Sequence, residues 1–405
     1  MRFKFLSLAA ISAVVFAAPA WAAPGDPVAL GEGVTLDPIL DANLRYEHVD
    51  QAGVAKDADA VTIRLRLGAE LKAGGFSLLA EGEGTGALSD RYNDTLPGNG
   101  IEPYPTVPDP ENIELNRLQV GYAKGGYSLT VGRQRIVQDN ARFVGNVGWR
   151  QNEQTFDAVR AQAALGPVKL DAAYAISQRT VFGADSPNEH FDGDLVLLDA
   201  AVDVKPLKLG AFAYLIDYDT RLAFSSQTYG LRAAGTVKLG GGAALDLSAS
   251  FATQSDLGGN PTPYTAEYYN LEAGLGLRGF SIKAGYEELG SDGGVASFQT
   301  PLATLHAFNG WADLFLTTPA AGLRDYSIGA SYKFAGVKAL PGLSAAVTWH
   351  SFEGDFGGAD YGREWDASVG FKLGKVGLLA KYASYRANAF GADTEKLWLQ
   401  ASVAL

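Results

Sequence analysis

The chain has 405 residues, of which 47% are hydrophobic and 11% aromatic, with 49 glycines, no cysteine and a formal net charge of -12. The acidic balance argues against nucleic-acid binding, and the missing cysteines exclude a disulfide framework. Beyond the N-terminal stretch no apolar run approaches the length of a membrane helix, which excludes helical spans.

In chain order, residues 1-22 read as a cleaved secretory signal. Met1-Arg2-Phe3-Lys4 is a basic start, Phe5 to Ala18 a short apolar run, and Ala20-Trp21-Ala22 a small-x-small cleavage site. Residues 23-405 then read as one domain. Stretches that alternate apolar with polar are predicted as strands over 37-49, 58-72, 75-86, 112-124, 126-137, 153-166, 167-179, 193-205, 207-219, 226-239, 242-255, 266-278, 280-289, 323-335, 342-354, 361-373, 375-387 and 394-405. The joints alternate in size. Ala73-Gly74-Gly75, Lys124-Gly125-Gly126, Gly166-Pro167, Lys205-Pro206 and Arg278-Gly279 are short, while 87-111, 138-152, 180-192, 256-265 and 290-322 are long and fall on one side. About eighteen strands with short turns at one end and long loops at the other predict an all-β, antiparallel transmembrane barrel in the outer membrane of a Gram-negative bacterium. Too few residues precede the first strand for a plug domain, so an energised importer is not expected.

The alternation assigns faces. Ile63, Leu65, Leu67, Ala69 and Leu71 share the lipid face of the second strand, which turns Arg64 and Arg66 to the lumen. The tenth strand places Leu231 outside and Arg232 inside by the same count. Tyr46, Tyr122, Tyr127, Tyr174, Phe280, Tyr286, Tyr326, Tyr332, Phe334, Trp349, Trp365, Phe371 and Tyr382 stand near strand ends, where interfacial girdles belong. The expected lumen is mixed in charge. Arg64, Arg66, Arg117, Arg160, Arg179, Arg232, Lys283, Lys333 and Lys381 stand against Glu70, Asp171, Asp199, Asp203, Asp217, Asp246, Glu272, Glu287 and Asp366.

Signs of catalysis are sparse. His48, His190, His306 and His350 are scattered without metal-ligand spacing, and there is no nucleophile elbow. No enzyme, cofactor or metal is expected. The dense stretch is Gly132 to Arg160, where Arg133, Arg135, Arg142, Arg150 and Arg160 stand among Gln and Asn around a Gly-Trp-Arg-Gln-Asn-Glu core. Guanidinium forks inside a narrow pore hold carboxylates bidentately and favour anions. The same residues would equally form a bracing lattice with Asp139, Glu153 and Asp157, and residue types alone leave both readings open.

This stretch resembles the signature of the alginate export family of outer-membrane barrels. So do Phe298 to Asp313, containing Pro301, His306, Phe308, Asn309, Trp311 and Asp313, and Asp393 to Gln400. The resemblance implies an eighteen-stranded monomeric barrel with an arginine-lined conduit for an anionic polysaccharide, and makes Arg133, Arg135, Arg142, Arg150 and Arg160 candidate pore arginines. The loop 290-322 is too apolar to hang free outside the barrel and is predicted to fold into the lumen as a constriction or to cap it. The expected function is a passive channel for an alginate-like polysaccharide or acidic oligosaccharide. The alternatives are a general or sugar-selective diffusion porin and a non-conducting adhesion barrel. Expected contacts are outer-membrane lipid, lipopolysaccharide through divalent cations on the acidic loops, and periplasmic export or uptake partners.

Overall fold

A computed structural model describes residues 26-97 and 103-405, so the expected signal segment lies outside the described residues. The strands are β1 (Val34–Gln51), β2 (Ala58–Ala73), β3 (Phe76–Ala87), β4 (Asn112–Lys124), β5 (Tyr127–Gln134), β6 (Thr155–Leu165), β7 (Val168–Arg179), β8 (His190–Val204), β9 (Leu207–Tyr218), β10 (Ser226–Gly240), β11 (Ala243–Asp256), β12 (Thr265–Leu277), β13 (Phe280–Leu289), β14 (Leu323–Lys333), β15 (Ser344–Glu353), β16 (Asp360–Leu373), β17 (Val376–Ala387) and β18 (Thr394–Ala404). Each pairs antiparallel with its neighbours in sequence, and β18 pairs with β1 from Asp41↔Ala404 to Gln51↔Thr394. That last ladder closes the sheet, so among the described residues these eighteen strands leave no open edge. A short segment, Val28–Gly31, folds back on the start of β1.

Seven of the eight turns contain two residues, and the eighth spans 334-343. Glycine is required where both turn residues have positive φ, as at Gly74 and Gly75, with φ 56° and 91°. A Cβ on Gly75 would lie 2.8 Å from the Ala123 carbonyl.

The lipid and lumen faces are separated along each strand. On β2, Ile63, Leu65 and Leu67 are 44%, 41% and 50% exposed, whereas Arg64 and Arg66 are 5% and 4% exposed. Exposed aromatics form two belts. Phe76, Tyr122, Tyr127, Phe280, Tyr332 and Phe334 lie at the turn end, and Tyr174, Tyr229, Tyr269, Tyr326, Trp365 and Tyr382 towards the loop end. Tyr46 and Tyr382 donate their hydroxyls to Asp59 and Glu395, at 2.7 and 3.0 Å, as amphipathic rings do at a wet interface. Two face assignments are corrected. Arg133 was expected in the lumen, but it shares the face of Leu129 and Val131 on β5 and stands opposite Leu118, all exposed to lipid, so with its partner Asp157 it lies on the outer face. Asp217 was expected in the lumen, but Tyr214, Ile216 and Tyr218 occupy the buried inner positions of β9, which turns Asp217 outward.

Two joined loops enter the barrel, and Tyr92, Val107 and Asp109 of the segment between β3 and β4 also pack on its inner wall. Loop A, 135-154, leaves β5 three residues before the predicted strand end at 137, and loop B is 290-322. They are stitched together: Gly145 N donates to Leu302 O at 2.8 Å, Thr304 N to Ala141 O at 3.0 Å, and Gln154 Nε2 to Leu302 O at 2.9 Å. Beneath them the inner wall is apolar. Ile136, Val144 and Leu302 pack on Phe156, Leu195, Leu197, Tyr214 and Ile216. Loop B carries Phe298, Ala312 and Phe315 onto Tyr268, Phe352, Tyr385 and Trp398. The luminal loops therefore have their own hydrophobic core, inside a wall whose outer surface is also apolar.

A charge on the lipid face has no such shelter. Leu67→Arg should destabilise the barrel by about 2–4 kcal/mol, the range for a cation near the bilayer midplane, read as a lowered urea midpoint in lipid vesicles. Leu67→Ala should cost much less.

Candidate functional site

The lumen at loop height is organised by arginines that join separate parts of the chain. Arg142, on loop A, is 2% exposed. Its Nε and Nη2 donate to the Glu287 carboxylate of β13 at 2.7 and 3.2 Å. Its Nη1 donates to Thr300 at 3.0 Å and its Nη2 also to Asn309 at 3.1 Å, both on loop B. Asn309 Nδ2 and the Tyr268 hydroxyl complete the Glu287 shell at 2.7 and 2.6 Å. The guanidinium also lies over the Phe308 ring, 4.8 Å from its centroid. Burial alone would lower the Arg142 pKa, but Glu287 outweighs it and holds the group above its ordinary value.

Arg150 makes the second brace. It donates to Glu47 of β1 at 3.0 Å and to Asp313 of loop B at 2.8 Å. Lys396 Nζ also reaches Asp313, at 3.3 Å. Next to it, Trp149 is held between two partners. Arg45 lies over one ring at 4.2 Å, and His306 stacks on Trp149 with centroids 4.5 Å apart and planes 6° apart. His306 bonds Asp313 Oδ1 through Nδ1 at 2.8 Å and faces Lys381 Nζ through Nε2 at 2.7 Å. That ammonium stands 3.6 Å from the Trp311 ring centroid. An ammonium on one ring nitrogen and a carboxylate on the other fit a neutral imidazole with its proton on Nδ1. Burial first, then the Lys381 and Arg150 charges, push its pKa down to about 4 against the pull of Asp313. Asp313 shows the converse. Burial would raise it, but His306, Lys396 and Arg150 hold it well below the usual carboxylate range.

Loop B is fastened at its tip by backbone donors. Trp311 N and Ala312 N donate to Asp366 and Glu364 of β16 at 3.2 and 2.7 Å. Asn309, Gly310 and Asp313 all have positive φ. A Cβ on Gly310 would meet Glu364 Oε2 at 2.4 Å, so the approach requires glycine.

A third cluster joins wall and loop. Glu153 accepts from Arg135 at 2.6 and 2.7 Å, from Asn116 at 2.5 Å and from Asn146 at 2.9 Å. Glu81 accepts from Arg117 at 2.8 and 2.6 Å, and Arg66 pairs with Glu83. The other candidate arginines pair separately: Arg64 with Asp41 and Arg160 with Asp171 at 2.9 Å on the inner wall, Arg133 with Asp157 at 2.8 Å on the outer face, and Arg232 with Asp139 of loop A at 2.5 Å.

The predicted site residues therefore divide by exposure. Arg64, Arg66, Arg142 and Arg150 are buried in carboxylate pockets, while the Arg117, Arg133, Arg135, Arg160 and Arg232 side chains are 14%, 20%, 30%, 15% and 17% exposed. Of the loop B residues, His306, Phe308, Asn309, Trp311 and Asp313 meet at the braces, and Pro301 contributes its carbonyl to Gln178 at 3.3 Å. Sequence reasoning missed Arg45, Glu47, Glu81, Glu83 and Glu364, and it singled out the core around Trp149 without giving that ring a role. Strand parity held a signal for Glu83, which sits opposite Arg66 in the β2–β3 ladder.

A closed barrel, greasy outside, belted with aromatics and charged within, whose loops fold into its lumen, is an outer-membrane channel of a Gram-negative bacterium. The family can be stated as well: the alginate export profile matches residues 39–277, and the chain belongs to that family. No curated protein matches the sequence. Solved structures share the fold at low identity. Pseudomonas aeruginosa OccK9 (OpdG) has a TM-score of 0.71 at 17% identity, covering 92% of this chain and 99% of its own. OpdK from the same organism, solved with vanillate, has a TM-score of 0.70 at 17% identity, covering 91% and 98%. Acinetobacter baumannii OccAB3 has a TM-score of 0.68 at 15% identity, covering 91% and 100%.

Two outcomes follow from the braces. Arg142→Gln leaves Glu287 buried without its cation and should cost about 3–5 kcal/mol at that site, read as faster hydrogen exchange across 138-147 and 298-312. Acid should loosen loop B through His306. A base whose docked pKa is about 4 binds fewer protons when docked than when free. Docking is then fully supported above the free value of about 6.5 and weakens as pH falls towards 4. Hydrogen exchange over 303-313 should rise across that window, and His306→Gln should flatten the rise.

Proposed function

We propose that this protein is a passive channel for an anionic polysaccharide or acidic oligosaccharide of the alginate type. The reading is carried by the partly exposed arginines of the β4–β10 wall that face inward: Arg117, Arg135, Arg160 and Arg232. Each is fixed by a carboxylate and still presents part of its side chain to the lumen. A carboxylate-bearing polymer would touch these edges in turn, each contact weak because the guanidinium is already partly neutralised. Many weak contacts in series let a polyanion slide, where one tight site would trap it. Family membership supports the same cargo class. In this reading Arg66, Arg142 and Arg150 act indirectly, by holding the loops that narrow the passage, and Arg64 braces the wall through Asp41. Loop B, with Phe308 and Trp311 only partly buried, is the constriction.

A second reading has an observation of its own. Because every one of these arginines has an acidic partner, the lumen carries little net charge along that wall, and a general or sugar-selective diffusion porin is the alternative.

Single-channel recording separates the two. The polyanion reading predicts anion preference and concentration-dependent block by acidic oligosaccharides, with no block by neutral ones of equal length. Replacing Arg117, Arg135 and Arg160 together with Gln should reduce the blocking affinity about tenfold or more, equivalent to about 1.4 kcal/mol. Equal block by neutral and acidic oligosaccharides would support the diffusion porin instead.

A further inference from the structure

On the turn side of loop A lies a cavity of about 410 Å³ against the β6–β10 wall, within the size range of small-ligand clefts. Its chemistry is unlike that of the braces. Phe212 and Tyr214 stack with centroids 4.9 Å apart and planes 18° apart, and Phe143 closes on Phe212 at 4.7 Å. The register places two glycines where this wall would otherwise carry inward side chains. Gly230 stands opposite Phe212, and Gly210 opposite Arg232. A Cβ on Gly230 would meet Phe212 Cζ at 2.2 Å, so the far edge of the ring rests against the bare backbone. A Cβ on Gly210 would meet only backbone oxygens, at 3.7 and 3.9 Å, leaving a notch between Lys208 and Phe212 that faces Arg232.

The cations of that notch already hold a carboxylate. Asp139 of loop A accepts from Arg232 Nη1 at 2.5 Å and from Lys208 Nζ at 3.3 Å. It does so from a left-handed backbone, φ 48°, and its side chain is 38% exposed. The fork is incompletely used, since Arg232 Nε is buried without an acceptor. In contrast to Glu287 under Arg142, this carboxylate stands at the edge of open space.

We propose that Lys208 and Arg232, with the Phe212–Tyr214 face, form a subsite for a single acidic pyranose, and that Asp139 occupies its carboxylate position in the empty channel. The sugar carboxylate replaces Asp139 on Arg232 and Lys208, and the apolar face of the ring packs on Phe212. Asp139 is then an internal competitor that keeps the subsite from binding cargo tightly enough to stall it. The proposal deepens the polyanion reading and rests on it for the class of ligand.

The test uses the full protein in detergent, with glucuronate as probe and glucose as neutral control, read by calorimetry and by saturation-transfer NMR. Asp139→Asn keeps the side-chain shape and its tolerance of positive φ while removing the charge. It should bind glucuronate about tenfold more tightly, the gain expected if Asp139 holds the pair roughly nine-tenths of the time. The double variant Lys208→Gln/Arg232→Gln should lose glucuronate binding, and Gly210→Leu, which fills the notch without touching a charge, should lose it too. Saturation transfer should reach the sugar ring protons and vanish in Phe212→Leu. Equal or weaker binding by Asp139→Asn, or unchanged binding by the double variant, overturns the proposal. Circular dichroism confirms that each variant keeps its barrel. If glucuronate binds as described while the wild-type channel shows no anion preference, the subsite stands and the polyanion reading fails. If anion preference is present and the variants bind alike, the reverse holds.

Discussion

Two guanidinium groups hold the interior of this barrel in place. Arg142 joins loop A to loop B and to β13, and Arg150 joins loop A to loop B and to β1. A loop brought into a barrel must bury backbone and side-chain polar groups, each expensive unless matched. Here the matching is done by forks with several donors each, so two residues satisfy acceptors from three separate parts of the chain. Breaking one partner leaves an uncompensated buried charge, which makes the docked state all-or-none at each brace. The apolar contacts of Phe298, Phe315 and Leu302 supply the affinity of the loops for the wall, and the arginines fix where they sit.

The same pairing determines what the lumen offers to a solute. Arginines that face water from behind a carboxylate are weak, oriented anion contacts, whereas a bare arginine ring would bind a polyanion tightly. Exposure separates two kinds of arginine within one lattice: Arg142 and Arg150 are enclosed and brace, while Arg117, Arg135 and Arg160 keep accessible edges. Asp139 extends the logic from the wall to a loop, because its partners Arg232 and Lys208 are themselves accessible.

Much of the barrel could be read from the residues. Period-two alternation and glycine turns locate the eighteen strands, and β2 shows the rule directly in Arg64 and Arg66 inward against Ile63 and Leu65 outward. The rule weakens where loops cover the inner wall. Leu195 and Leu197 are buried in the lumen while Leu198 faces lipid, so this part of β8 is apolar on both faces and its parity is hidden. The same cause misplaced Asp217 beside Tyr214 and Tyr218. The apolar content of 290-322 did signal an inward loop, but its partners were out of reach of sequence. Arg142 and Glu287 are 145 residues apart, and only barrel closure and register bring them together. Arg45 sat in plain alternation between Leu44 and Tyr46, yet its role depends on Trp149 and Asp109 arriving from loops.

The central claim is that both loops stay docked while the channel conducts. The chain contains no cysteine, so Val144→Cys with Leu302→Cys, placed where the two loops run side by side, creates a single controllable cross-link. The measurement is unitary conductance of that variant before and after oxidation. The account predicts that the disulfide forms readily and conductance is unchanged, whereas a cross-link that closes the channel would show that conduction requires the loops to part, and one that cannot form would show that the loops do not lie side by side.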